Sequence, residues 1–291
     1  MLLMTFWQFV KKLFFSWSQD RISSQAAALA YYTVFSLMPI LLICISIVGI
    51  LFGEDAARGE IVAQISRLID KETALQIQEI ILSANKPTTA FYARIVSLVV
   101  LLVSASGVFS EIQQGLNNIW GVRTRSDLGW LVKIRSRFFP FIMVLGVAFL
   151  LLVSLILNTS LALLSNYLNR FMGTNIFIDL IISHLISFFI ITLLFAMTFK
   201  ILPDVELSWR DVWLGALITS LLFSMGKILL GFYLNKFHIA SVFGAAGSLI
   251  IILVWVFYSS QIFFIGAEIT KIFSLYKGKK IIPSRNAILI D

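Results

Sequence analysis

Between Ala26 and Tyr276 the chain passes through long apolar stretches that recur almost to its end, and this recurrence restricts the fold more than any other feature. Inside a bilayer no water is available to a free backbone amide or carbonyl, so a crossing segment must satisfy its own main chain, as a helix does. At about 1.5 Å per residue, each stretch can cross the roughly 30 Å of hydrocarbon. The sequence therefore predicts an all-α, polytopic membrane protein with six transmembrane helices, at about residues 26–52, 91–117, 138–164, 177–201, 211–234 and 244–276. No soluble domain of this size has a use for 59% apolar residues against 13% charged ones, or for a mean hydropathy of +0.94.

The segments outside the spans have characters of their own. In residues 1–25, Phe6, Val10, Leu13 and Trp17 recur at helical spacing beside Lys11, Lys12 and Arg21, as in an amphipathic helix lying on a membrane surface. A signal peptide is not indicated, because the basic residues follow the apolar ones and no small-residue cleavage site closes the segment. Pro39 removes a backbone hydrogen bond inside the first span and predicts a helix kink near Ser36. Between spans one and two, residues 54–90 set Ile61, Val62, Ile65, Leu68 and Ile69 opposite Glu60, Arg67 and Asp70, which predicts an external amphipathic helical loop. Leu202-Pro203-Asp204 stops the fourth span, and Trp209 and Trp213 flank Arg210 as interfacial aromatics do. Residues 277–291 form a basic tail too short to fold alone.

An even number of spans puts both termini on one side, and the charges choose which. Fifteen Lys and Arg residues fall on the terminus side and seven opposite, so the positive-inside rule predicts cytoplasmic termini. In a membrane chain the net charge of +8 is explained by orientation and anionic headgroups, without nucleic acid. Cys44 is the only cysteine and there are two histidines, which excludes an intrachain disulfide and argues against a structural zinc site. P-loop and G-x-G-x-x-G motifs are missing, so no nucleotide cofactor is implied, and no cofactor of another kind is indicated.

The polar residues within the spans fall into two depth groups. From Leu102 to Val122 a long apolar run turns polar, with Glu111, Gln113, Gln114, Asn117 and Asn118 close together. Hydrocarbon does not tolerate that many unpaired polar groups, so they face other helices, a wet cavity or the headgroup layer. Glu268 and Gln261 in span six reach a similar level, and with Gln25 these residues are candidates for a cytoplasm-facing vestibule. Lys227 in span five and His184 in span four belong to the outer half. Lys227 has two readings, contact with an anionic substrate group or snorkelling to headgroups. Small residues at four-residue spacing, including Gly215 with Thr219 and Gly266 with Thr270, predict close helix contacts. No catalytic constellation is visible: GxSxG is absent, and neither clustered carboxylates nor paired histidines are present for nuclease metals.

The order of these features resembles the YihY/virulence factor BrkB family of bacterial inner-membrane proteins. The stretches that carry the resemblance are residues 26–42 (AAALAYYTVFSLMPILL), 104–122 (SASGVFSEIQQGLNNIWGV), 202–205 (LPDV), 209–216 (WRDVWLGA) and 243–268 (FGAAGSLIIILVWVFYSSQIFFIGAE). The resemblance implies six spans and the bacterial inner membrane, and brings no agreed substrate or catalytic residues. Some members carry the older label ribonuclease BN, an activity that the absence of nuclease chemistry gives reason to reject. The expectation is a non-enzymatic transporter or flippase-like handler of an amphipathic or anionic envelope component, such as a lipid. The alternative is a non-transporting scaffold for envelope-assembly partners. Oligomeric state, substrate and energy coupling are not encoded in any recognisable pattern.

Overall fold

The computed structural model describes residues 6–36, 59, 107–125, 176–237 and 247–290. Pro39, the loop at 54–90 apart from Gly59, and the predicted third span lie outside the described residues. The described chain is mostly helical, with α1 (Phe6–Gln19), α2 (22–36), α3 (107–120), α4 (Ile176–Ile201), α5 (Trp209–Phe237) and α6 (Gly247–Tyr276). Two short strands, β1 (Val122–Thr124) and β2 (Ala287–Leu289), add a small sheet to the predicted all-α architecture. Among the described residues, Trp209–Tyr233 of α5 and Ile250–Tyr276 of α6 are long and apolar enough to cross a membrane.

α1 and α2 are separate helices because the chain turns a corner between them. Arg21 adopts a left-handed conformation, with φ of 49°, which an α-helix cannot continue through. The docked face of α1 differs by a few positions from the predicted stripe. Phe9 and Trp17 pack inward, whereas Val10 is exposed beside Trp7 and Phe14.

α3, α6 and the turn between α4 and α5 all reach one end of the molecule, where the chain builds a cap. α6 stops in a Schellman motif: Gly278 takes φ of 76°, its amide donates to the Leu275 carbonyl, and the Lys279 amide donates to that of Ser274. Gly121, with φ of 65°, ends α3 and turns the chain into β1. β1 pairs antiparallel with β2, Arg123 opposite Ile288, and the Ile290 amide extends the ladder to the Gly121 carbonyl at 2.8 Å. The α4–α5 turn joins through a bridge between Val205 and Pro283 and a bond from the Glu206 amide to the Ile282 carbonyl. Ser208 and Asp211 cap α5, the Asp211 carboxylate accepting from both the amide and the hydroxyl of Ser208. Lys279 from the tail then pairs with Asp211 at 2.7 Å. Beneath this cap Val122, Leu202, Val205, Leu207 and Val212 are buried in one apolar core with Leu116, Phe199 and Phe264.

Away from the cap, α5 and α6 lie antiparallel and interlock. A Cβ added at Gly215 would stand 1.8 Å from Thr270 Oγ1, and one added at Gly266 would stand 1.8 Å from Thr219 Oγ1. Each glycine is the notch that receives the other helix's threonine. Both threonine hydroxyls donate to carbonyls one turn back in their own helices, at 2.6 and 2.8 Å, so no polar group is stranded in the contact. Phe195, Phe223 and Trp255 continue the packing in edge-to-face contacts at 5.7 and 5.6 Å. The opposite face of α5 exposes Leu217, Leu221, Met225, Ile228, Leu229 and Phe232, an apolar stripe suited to lipid.

Gly266→Ala is expected to lower stability by about 1–3 kcal/mol, since its methyl group has no room beside Thr219. Thermal unfolding in detergent checks this, and the exchanged pair Gly266→Ala with Thr219→Gly should recover part of the loss.

Candidate functional site

The polar half of α3 has two faces with different partners. On one, Asn117 is buried and grips Asp204: its Nδ2 donates to Asp204 Oδ2 at 2.9 Å, and its Oδ1 accepts from the Asp204 amide at 2.8 Å. Gln113 Nε2 (3.2 Å) and Thr124 Oγ1 (2.9 Å) also donate to the Asp204 carboxylate. The Asp204 carbonyl accepts from the Ser284 amide at 2.9 Å. One residue thus joins α3, β1, the α4–α5 turn and the tail.

The other face of α3 opens on a cleft of about 400 Å³. Glu111, Gln114 and Asn118 line it, following one another at three- and four-residue steps, with Asn117 and Gly115 between them. Gln25 of α2 forms a wall, and Arg123, Thr124 and Ile290 of the sheet region form the mouth. Gln25 Nε2 and Asn118 Nδ2 both donate to the Asp20 carbonyl, at 2.9 and 3.2 Å, which ties the helical corner to α3. Gln25 Oε1 is buried and has no hydrogen-bond partner. The cleft is narrow at Gly115, where an added Cβ would lie 2.5 Å from the Phe264 ring and 3.0 Å from Gln25 Oε1.

Glu268 and Gln261 are placed elsewhere, against α1 and its corner. Gln261 Oε1 accepts from Trp17 Nε1 at 3.3 Å. The Glu268 side chain is 0% exposed and faces Ser16 and Asp20 at the corner of α1. Lys271 stands 3.6 Å from Glu268 and 3.5 Å from Asp20, so a single ammonium serves two carboxylates. This cluster fastens the amphipathic helix to α6.

Lys227 lies in α5, half-buried, about 27 Å along the helix from Trp209. His184 lies on α4 about 25 Å before Ile201, a comparable level because α4 and α5 are packed neighbours. The His184 side chain is outside the described residues, so the structure does not bear on a shared polar space between the two. Among the described residues no group of three or more His, Cys, Asp or Glu side chains is placed to hold a metal ion.

Of the residues singled out from sequence, the structure therefore gathers Glu111, Gln114, Asn117, Asn118 and Gln25 in one cleft and sets Gln261 and Glu268 apart. Sequence reasoning missed Asp204, which reads only as part of a helix stop, and Arg123 and Thr124, which read as loop. The loop position of all three gave no periodicity from which to infer a shared site.

A family model described as virulence factor BrkB matches residues 13–287. A UPF0761 membrane protein of Tolumonas auensis is 28% identical over 86% of this chain and 80% of its own length. A UPF0761 membrane protein of Acinetobacter baylyi is 24% identical over 98% of this chain, which spans 66% of that relative. A protein named as ribonuclease-like, YfkH of Bacillus subtilis, is 26% identical over 96% of this chain and 98% of its own length. No solved structure matches.

Lys271→Met should destabilise the protein by about 1–3 kcal/mol, because the buried Glu268 loses its cation and is then held neutral. Combining it with Glu268→Gln should restore most of that loss. Unfolding of the purified variants in detergent measures both.

Proposed function

This chain belongs to the virulence factor BrkB family of membrane proteins, and from that premise we propose that it handles an amphipathic or anionic envelope component, such as a lipid, in the bacterial inner membrane. The observation that carries the reading is the polar cleft on α3, in a described structure where the outer face of α5 is apolar. An amphipathic substrate needs a polar path for its head while its chains stay in hydrocarbon. Amide side chains suit that task because each offers both donors and acceptors, and Arg123 at the mouth adds a fixed positive charge for an anion. Glu111 stands about 13 Å along α3 from Trp120, so the cleft reaches well into the helix bundle.

The cap end is the cytoplasmic end in this reading. It carries Arg123, Arg125, Lys277, Lys279, Lys280 and Arg285, all exposed, in line with the positive-inside rule. Lys227 and His184 then occupy the outer half and are candidates for the far part of the path. No nucleotide-binding motif accompanies the spans, so movement would follow existing gradients or run passively. No residue is assigned a catalytic role.

One observation favours the alternative of a non-transporting scaffold. The sheet formed by β1 and β2 presents the exposed Arg123 and Arg125 beside Arg285, a surface fit for an acidic partner.

Two experiments test these readings. In proteoliposomes containing fluorescent phosphatidylglycerol, the wild type is expected to make inner-leaflet label accessible to a membrane-impermeant quencher. Glu111→Gln should slow this about tenfold, corresponding to about 1.4 kcal/mol. Exchange no faster than in protein-free vesicles defeats the handling reading and leaves the scaffold. For orientation, in a Cys44→Ser background, Lys280→Cys should be shielded from an impermeant thiol reagent in intact cells and Ser83→Cys should react; the reverse pattern inverts the topology.

A further inference from the structure

A second cavity, separate from the polar cleft, lies between α1, α5 and α6 and has about the same size, 390 Å³. Phe9 of α1 roofs it, Leu214 and Ile218 of α5 form one wall, and Ile269, Ile272 and Phe273 of α6 form the other. Among the described residues Tyr276 is the one lining residue with a polar side-chain group, so water in such a space would find few hydrogen-bond partners. Hydrocarbon from the bilayer suits a slot of this kind between an amphipathic helix and two helices long and apolar enough to cross a membrane.

The mouth of the slot indicates which hydrocarbon. The Lys277 ammonium lies over the ring of Phe273, 4.3 Å from its centroid, so a positive charge is held against a wall residue. Arg210 stands one turn before Leu214, on the same face of α5. The antiparallel register that sets Gly215 beside Thr270 brings Arg210 level with Leu275, two residues before Lys277 in the chain. Asp211, the adjacent acid, is already engaged by Lys279 at 2.7 Å and by Ser208. Trp209, 45% exposed, marks this level as the headgroup layer, where tryptophan is favoured.

We propose that the slot binds one acyl chain of an anionic phospholipid, with the lipid phosphate held between Arg210 and Lys277. The paired cations select a lipid of net negative charge, because the cationic end of a zwitterionic headgroup is repelled where a neutral glycerol is not. The occupant braces α1 against α5 and α6. This site does not rest on the transport reading: it holds whether or not the polar cleft moves anything.

Native mass spectrometry of the protein released from nanodiscs of equimolar phosphatidylglycerol and phosphatidylcholine tests the proposal. The wild type is expected to retain one phosphatidylglycerol per chain, favoured about tenfold over phosphatidylcholine. Arg210→Gln with Lys277→Gln should abolish the preference, and Ile272→Phe, which fills the slot, should reduce retention of either lipid. The charge-preserving exchange Arg210→Lys with Lys277→Arg controls for folding and should keep the preference. Equal retention of the two lipids by the wild type overturns the proposal. So does undiminished preference in the glutamine variant, undiminished retention in the filled slot, or loss of preference in the charge-preserving exchange.

Discussion

Asp204 is the residue on which the cap depends, and its position explains why so small a sheet can persist. Strands of three residues cannot hold a register by themselves. Here the α4–α5 turn is fixed to α3 by the two-way bond between Asn117 and Asp204, and the tail is fixed to the same residue through the Ser284 amide. With the flanking segments held, pairing β1 with β2 orders few additional residues, and the entropy that would defeat a free hairpin is already spent. Lys279 repeats the arrangement at the start of α5, where it closes a helix cap and anchors the tail together.

Two different solvents act on the two halves of the described structure. At the cap, apolar burial removes surface from water, and Val122, Leu202 and Val212 gather for the ordinary hydrophobic reason. Between α5 and α6 lipid is as apolar as leucine, so association must come from close fit and from hydroxyls that bond within their own helix. Gly215 and Gly266 supply the fit, and Thr219, Ser220 and Thr270 are buried with their hydroxyls satisfied. The carboxylate of Glu268 is the exception. It lies buried beside a lysine that it shares with Asp20, which makes the seat of α1 on α6 the most electrostatically tense contact described.

Much of the helical frame was legible in the residues. The stretches 177–201, 211–234 and 244–276 are helical, as α4, α5 and α6, within a few positions, because Pro203, Trp209 and the return of charge at Lys277 are local signals. The threonine notches were legible as four-residue spacing. The grouping of Glu111, Gln114 and Asn118 was likewise readable from one helical face. What no local pattern encodes is partnership across distance: Asn117 and Asp204 are 87 residues apart, and Trp17 and Gln261 are 244 apart. A tail too short to fold alone can still add a strand: Ala287–Leu289 needs only an edge to pair with, and β1 provides it. The vestibule expected around Glu268 differs for a related reason. Equal depth along two helices says nothing of which way their side chains turn, and α1 claims the face of α6 that carries Gln261 and Glu268.

The pairing of β1 with β2 also sets an order of assembly. During synthesis the edge at Val122–Thr124 leaves the ribosome long before its partner, which lies beyond α6. Until then the α4–α5 turn lacks its bonds from the tail, and the cleft lacks the side that Ile290 lines. The helices must accordingly find one another in the bilayer without help from the cap, and the interlocked α5–α6 pair is a contact able to form at that stage. The sheet can then close only after α6 has been made, so a chain truncated before Ala287 lacks the strand that completes the cap.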